Sequence, residues 1–456
     1  MDLVSAGPAP VKDAYLHCPR CLLRLGWADA SQGCAECTRS ARVVGDIPVL
    51  VSDPSEMVRD WGAQRALFSR ETRATRDVVL AQLAGQALPA TTRTRLQRLY
   101  DRLGRHLGEV EALYEAAGVP AVDEPVSRGE RVPGEGIATA YFDQIHRDWG
   151  WDTDEPGAAL EIVLEVLGDR RPQRMLVLGA GACRLPYELH RAAGLETTVA
   201  IDINPVPFFV ARRVIAGQSV ALTEFPRCPR DSHAVAVDRT LRSSNPGADG
   251  FHLLFADGLE PPVPDASFDL VLTPWFIDQV PKDLATLLPT IHRVLRAGGA
   301  WLNHGPLLYQ PTHTQPAHRY REDEVHELTQ AAGFSLARHR WDRLLYMQSP
   351  AGSQGRTEGI ATFLAEKKDR PGRGAVEAEA PGWLEDATLA VPRWPELDGY
   401  QPPHPMFAAV ASLIDGSRSS QMIADEMVRR FSLPADAALG GVTTCLAEMW
   451  RARRSQ

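Results

Sequence analysis

Between residues 140 and 368, strand-like and helix-like stretches alternate, and this alternation constrains the fold more than any other feature. Met175-Leu176-Val177-Leu178 runs into a glycine turn and then a helix from about Leu185. Thr198-Val199-Ala200-Ile201 ends at Asp202, and a helix carrying Phe208, Phe209, Ala211 and Val214 follows. Phe251 to Phe255 and Leu270-Val271-Leu272 read as further strands. Residues 283–296 read as a helix, Gly298-Gly299 as a turn, and Ala300 to Leu302 as the start of the next strand. A helix over 322–332 and strands near 336–346 and 360–365 complete the series. Such alternation predicts a doubly wound, Rossmann-like α/β sheet with helices on both faces.

The flanks have other textures. Residues 1–52 carry cysteines, lack helical periodicity and end in the strand-like runs Arg42-Val43-Val44 and Ile47-Pro48-Val49-Leu50-Val51. Residues 53–139 form a helical region, with Leu96, Leu99, Leu103 and Leu107 at three and four spacings, closing in a Pro- and Gly-rich stretch over 120–136. Residues 369–398 read as a linker and 399–456 as a small helical domain. At 44% apolar and 23% charged residues the chain has enough apolar surface to bury a core. Its 49 Lys and Arg against 58 Asp and Glu leave a net charge of −9, which argues against a nucleic-acid partner held by phosphate contacts. No run approaches the ~18 apolar residues of a membrane span, and the first residues lack the apolar core of a secretory signal. A cytoplasmic protein is expected; the oligomeric state is not legible.

Seven cysteines, four of them in the first 37 residues, suit a metal site in a reducing compartment better than a disulfide framework. Cys18 and Cys21, then Cys34 and Cys37 after twelve residues, supply two thiolate pairs for a tetrahedral, structural Zn²⁺. The alternatives are a redox dithiol and a ribbon without metal. The ending Asp46-Ile47-Pro48-Val49-Leu50 resembles small ribbons attached to methyltransferases.

Gly179-Ala180-Gly181 follows a strand and precedes a helix, which lets backbone approach a ligand near unpaired N–H groups. The third glycine of a dinucleotide fingerprint is replaced by Arg184. Asp202 ends the second strand, where a carboxylate accepts from ribose hydroxyls, and Asp257-Gly258 ends the third, where the acid meets an adenine amino group. In this order the set resembles the class I methyltransferases that use S-adenosyl-L-methionine.

Ile145-His146-Arg147-Asp148-Trp149, Leu176 to Gly181, Arg184-Leu185, Phe276-Ile277-Asp278 and Asn303-His304-Gly305-Pro306-Leu307-Leu308-Tyr309 are more specific. Over roughly 140–368 the chain resembles carnosine N-methyltransferase and its relatives, which methylate the imidazole of histidine-containing peptides. The resemblance implies that Gln144 and Arg147 reach the methionine part of the cofactor, that Gly179, Gly181, Arg184, Asp202, Asp257 and Gly258 complete its site, and that Asp278 and Tyr346 are catalytic. Asn303, Tyr309 and Gln310 would bind the substrate. A carboxylate at Asp278 would fix the tautomer of the acceptor ring; the alternative is a cap on the following helix. The alternative for Arg147 is a surface ion pair with Asp148. Two positions depart from the family: Gln310 stands where it has histidine, and Arg356-Thr357-Glu358 where it has tyrosines.

Leu413-Ile414-Asp415-Gly416-Ser417-Arg418-Ser419-Ser420 and the helices after it resemble the small PqqD-like domains that bind precursor peptides. Ser419 or Ser420 would cap the next helix, with Ile423, Met427 and Phe431 as its apolar face; a plain helical packing module is the alternative. The expected function is therefore N-methylation of a histidine imidazole in a peptide or protein. An RNA or small-molecule methyltransferase and a non-catalytic scaffold on the same fold are the competing readings.

Overall fold

A computed structural model describes residues 15–19, 24–26, 33–34, 39–40, 42–85, 87–123, 142–247, 249–280, 283–309, 314–368, 382–393, 405–431 and 435–454. The chain divides into two compact units, Met1–Asp369 and Arg370–Gln456.

The first unit is built on a seven-stranded sheet: β1 (Arg174–Leu178), β2 (Thr197–Asp202), β3 (Phe251–Phe255), β4 (Phe268–Pro274), β5 (Leu295–Gly305), β6 (Phe334–Tyr346) and β7 (Arg356–Lys367). Their spatial order is 3-2-1-4-5-7-6. The first five strands run parallel, and β7 enters antiparallel to both β5 and β6. This mainly parallel sheet matches the doubly wound, Rossmann-like α/β sheet expected from the alternation. Central strands sandwiched between helices have no solvent face, and β4 is buried along its whole length; β3, at the sheet edge, is buried throughout as well.

The differences from the sequence expectation have local causes. The Gly298-Gly299 pair lies within β5 rather than before it. Gly298 takes φ +70°, and pairing jumps from Phe268–Leu295 to Leu270–Ala300, so the extra residues bulge out of the ladder. β6 keeps close to the expected 336–346, whereas β7 starts well before the expected 360–365, because its pairing with β6 continues through charged residues as far as Tyr346–Arg356. The helical region is two helices, α1 (Pro54–Gly85) and α2 (Ala90–Ala116), interrupted before Pro89. The sequence reading passed over α4 (Glu155–Leu167), which follows the short α3 (Phe142–Trp149), and the antiparallel ribbon Val220–Glu224 with Val237–Leu241.

Helix α1 buries Trp61, Arg65, Phe68 and Thr72, a stripe at helical spacing. Arg65 is tolerated there because it pairs with Glu111 of α2 and donates to Val119 O at 2.6 Å. Trp61 Nε1 donates to Ile203 O at 3.0 Å, just past β2, which ties the helical region to the sheet end that carries the glycine turn. At the β3 edge, Val49 bridges in parallel to Phe255 and Leu50 N donates to Phe255 O at 2.8 Å. Leu16, Cys18 and Leu25 are buried in the same apolar cluster as Leu50 and Leu178. Of the four expected metal ligands, Cys21, Cys37 and the side chain of Cys34 lie outside the described residues.

The second unit holds α9 (Pro405–Leu413), α10 (Ser420–Phe431) and α11 (Ala435–Arg454) around Trp383, Val410, Ile423, Met427 and Leu446. Asp415 Oδ1 accepts from Ser417 N and Arg418 N, and Ser419 Oγ accepts from Met422 N at 3.3 Å as the cap of α10. Phe431, expected on the buried face, is exposed. It is the last residue of α10, beyond the turn that packs Met427. Among the described residues no helix is long and apolar enough to cross a membrane.

Candidate active site

Strand β1 ends at Leu178, and the turn into α5 (Arg184–Ala192) uses Gly179 at φ +70°, Gly181 at φ +55° and Cys183 at φ +68°. The N–H groups of Gly179 and Ala180 both donate to Ile201 O at 3.0 Å, so the turn is laced to β2. The two glycines serve different needs. A Cβ on Gly179 would lie 2.2 Å from the Phe276 ring, whereas a Cβ on Gly181 would meet nothing within 4 Å and would project into open space.

Asp202 is the latch of this turn. Its Oδ2 accepts from Gly181 N at 2.7 Å, and its Oδ1 accepts from Ile203 N at 2.7 Å and Asn204 N at 2.8 Å. Burial pushes the carboxyl up, and those N–H groups pull it back. Most of its acceptor capacity is thus spent on backbone, with room left on Oδ2 for a ligand hydroxyl.

The glycine turn faces a cavity of about 370 Å³ at the C-terminal ends of the parallel strands. Gln144, Arg147, Gly179, Gly181, Arg184, Asp202, Asp257 and Gly258 all line it, as does Tyr346, so the whole expected cofactor set converges on one cleft. Arg147 pairs with Asp148 at 2.7 Å and lies 3.7 Å from Glu155. Burial alone would lower its guanidinium, but Asp148, Tyr346 and Glu155 outweigh that and hold it above its ordinary range. The ion pair with Asp148 therefore exists, but within the cleft wall and not on the surface. Arg184 is held by Glu188 at 3.0 Å and by Asp148 O at 3.1 Å, over the Trp149 ring. The Tyr346 ring stacks on Trp275 at 4.0 Å between centroids, with the Arg147 and Arg356 guanidinia within 5.3 and 4.7 Å of its centre.

Asp278 does not line the cleft itself; its neighbours Phe276 and Gln279 do. It is fully buried, with Oδ2 accepting from Leu308 N at 2.9 Å and Oδ1 without a hydrogen-bond partner among the described residues. Burial raises the carboxyl to about 6 against the opposing pull of the Leu308 N–H and the Gln279 side chain. The helix after it, α7 (Leu284–Val294), is capped by Asp283, whose Oδ1 accepts from Ala285 N at 3.0 Å. Asp278 is therefore not that helix's cap. The Tyr309 hydroxyl is also buried without a partner among the described residues, and burial together with the Asp278 charge raises it.

Asn303 lies elsewhere, inside the sheet, where it accepts from Thr273 Oγ1 at 2.9 Å and donates to Ala361 O at 3.1 Å; its polar atoms are spent on the strands. Gln310 is outside the described residues.

Four of the lining residues to which the sequence reading gave no role bear on the site. Phe276 packs over both Gly179 and Gly258, a close approach signalled only by those glycines. Trp275 adopts φ +53°, which nothing in the sequence announces. His304 is buried, with Nδ1 2.9 Å from Thr362 Oγ1 and Nε2 without a partner among the described residues, and burial lowers it to about 4. Glu155 is raised by burial to about 7.

Residues 230–365 match the sequence model of the carnosine N-methyltransferase family. The chain is an enzyme of methyl transfer. No curated protein matches it. Among solved structures it is similar to an S-adenosylmethionine-dependent methyltransferase from Methanosarcina mazei, at 17% identity over 45% of this chain and 97% of that one, with a TM-score of 0.31. Another is the 1,6-didemethyltoxoflavin-N1-methyltransferase of Burkholderia thailandensis, at 21% identity over 48% and 80%, with a TM-score of 0.30. A third is an S-adenosylmethionine-dependent methyltransferase from Aquifex aeolicus, at 14% identity over 50% and 96%, with a TM-score of 0.31.

Proposed function

We propose that the chain transfers a methyl group from S-adenosyl-L-methionine to a ring nitrogen of a histidine in a peptide or protein. The observation that carries this reading is Asp278: a buried carboxylate beside the cleft, with one oxygen fixed by backbone and the other without a partner among the described residues. A buried polar atom without a partner costs stability, so its retention asks for a use.

The cleft residues fit the cofactor. Gly181 leaves open the space a side chain would fill, the backbone N–H groups of the turn approach a ligand closely, and Asp202 and Asp257 stand at the ends of β2 and β3 for ribose and adenine. Gln144 and Arg147 flank the methionine end, where a guanidinium suits a carboxylate. When bound, the cofactor supplies an electrophilic methyl on a sulfonium.

The acceptor side then has to aim a nucleophile, since neutral imidazole already has a lone pair near pH 7. Asp278 Oδ1 accepts the N–H of one ring nitrogen, which leaves the other bare, and its charge steadies the cation that forms on the ring. Positioning of this kind is worth roughly 7–11 kcal/mol in well-oriented systems. Tyr346, held flat against Trp275, supplies an aromatic wall, and the Tyr309 hydroxyl supplies a second polar group near Asp278. Gln310 in place of histidine and Arg356-Thr357-Glu358 in place of tyrosines set this acceptor apart from carnosine.

The four N-terminal cysteines are read as a structural Zn²⁺ ribbon, and the helical second unit as a precursor-peptide-binding module. The test of the function is methylation of histidine-containing peptides, followed by hydrolysis and identification of methylhistidine. Asp278→Asn is expected to keep cofactor affinity in calorimetry while turnover falls at least ~100-fold; normal turnover by that variant defeats the tautomer argument.

A further inference from the structure

Strand β6 closes one edge of the sheet: β7 pairs with it on one side and, among the described residues, no strand pairs on the other. Its even-numbered residues turn toward α4, where Arg338 donates to Val166 O and Arg340 pairs with Glu165. Side chains alternate along a strand, so the odd-numbered residues share the opposite face. Helix α8 (Glu322–Ala331) meets that face at His339, 3.9 Å from Glu322.

Beyond His339, Trp341, Arg343 and Leu345 are all exposed, the two apolar side chains by 53% and 58%. The Trp341 ring is seated against β7, since a Cβ on Gly359 would come within 2.4 Å of it. The Arg343 guanidinium is 5.5 Å from the ring centre and has no acidic partner among the described residues. Leu345 lines the cleft together with Leu308, which is itself 50% exposed. Trp341, Leu345 and Leu308, half of the exposed large apolar side chains described in the first unit, thus lie on this stripe or on the cleft that Leu345 lines. Scattered exposed apolar residues need no explanation, but a cluster continuous with an active-site cleft does.

We infer that this stripe is the docking surface for the acceptor, and that the acceptor is an extended peptide carrying an acidic and an apolar side chain beside the residue that enters the cleft. The inference rests on the methyl-transfer reading of the cleft. Arg343 meets the carboxylate, and Trp341 and Leu345 cover the apolar side chain. A peptide laid along the edge of β6 repeats every second residue, the same period as the stripe, so successive side chains fall in register with Trp341, Arg343 and Leu345. An unpaired guanidinium at the centre disfavours a basic partner. It also disfavours a two-fold contact through this stripe, which would bring two copies of Arg343 together.

The test uses the full chain with S-adenosylhomocysteine present and fluorescein-labelled octapeptides read by anisotropy. One peptide flanks a central histidine with Asp and Leu, one flanks it with Lys and Ser, and each is repeated with alanine for histidine. The Asp/Leu peptides are expected to bind at least ~10-fold tighter than the Lys/Ser peptides, with or without histidine. Arg343→Glu is expected to cancel or reverse that preference at unchanged cofactor affinity. Equal affinity for the two flanks, or a preference that survives both Arg343→Glu and Trp341→Ser, overturns the inference. So does a chain that binds cofactor but no peptide, or a dimer that Trp341→Ser turns into a monomer. Mass spectrometry of the same peptides after incubation with S-adenosylmethionine separates the two readings. Flank-dependent binding with no methyl on histidine sinks the histidine acceptor and leaves the stripe standing.

Discussion

Replacing Asp278 by asparagine is expected to make the protein more stable while making it a worse enzyme. The carboxyl is raised from 3.8 to about 6, first by burial, with the Leu308 N–H and the Gln279 side chain opposing. Because its folded value lies above the unfolded one, the folded chain holds this proton more tightly than the unfolded chain does. The site therefore favours the folded state at low pH and loses that advantage as pH rises from about 4 to about 6. Above pH 7 the ionised group is a standing cost of about 3 kcal/mol, at ~1.4 kcal/mol for each pH unit of displacement. Asparagine carries no charge at any pH and keeps a carbonyl oxygen for the Leu308 N–H. With unfolding entropy near ~2 cal/mol/K per residue for a unit of this size, that cost corresponds to a Tm higher by about 4 °C at pH 7.5. Near pH 4, where the aspartic acid is protonated as well, the two proteins should melt together. Calorimetric melts of both proteins across that range decide the matter. A variant less stable at pH 7.5, or a Tm difference that does not change with pH, would refute the account of Asp278 as a carboxylate kept at a cost for use on a substrate.

Three more expectations follow from the cofactor half and the ribbon. Asp202→Asn sets an amide N–H₂ against a backbone N–H whichever way it flips, since both carboxylate oxygens accept from backbone; cofactor affinity should fall by about 10–100-fold in calorimetry, and an unchanged Kd would show the latch to be dispensable. Gly179→Ala should lower both Tm and cofactor affinity, because its Cβ comes within 2.2 Å of Phe276. Gly181→Ala has open space and only the positive φ to oppose it, so about 1–2 kcal/mol of stability is lost while cofactor affinity falls further; the opposite ranking in paired melting and binding measurements would contradict the division of roles. Native mass spectrometry is expected to find one zinc per chain, lost on Cys34→Ser, and a metal-free wild type would return the ribbon to its alternatives.

The cofactor half was legible because it is written in short stretches. A buried strand, a glycine turn and a carboxylate at the next strand's end are each a few residues long, and the parallel order of strands brings those ends together without further instruction. Gly179 could be read as a turn residue, although its decisive constraint, the ring of Phe276, lies almost a hundred residues away in sequence. The bulge at Gly298 was misread because two glycines announce a break in a ladder without saying whether the strand stops or steps around it.

The acceptor half resisted reading for a different reason. Asp278, Leu308, Tyr309, Tyr346 and Arg356 belong to two loops and two strand ends, and only the antiparallel entry of β7 beside β5 draws them to one place. None of them has a local pattern, so the sequence can name them only through a resemblance, and a resemblance passes on roles without their geometry. Asn303 shows the consequence. It belongs to the most specific motif of the chain, yet its side chain is used up between Thr273 and Ala361, holding β5 to its neighbours. A motif conserves whatever its fold needs, and here one residue of the motif braces the sheet while Leu308, five positions on, fixes Asp278 through its backbone N–H. Replacing Leu308 by another apolar residue should therefore leave Asp278 in place, whereas proline there would remove the donor that holds it.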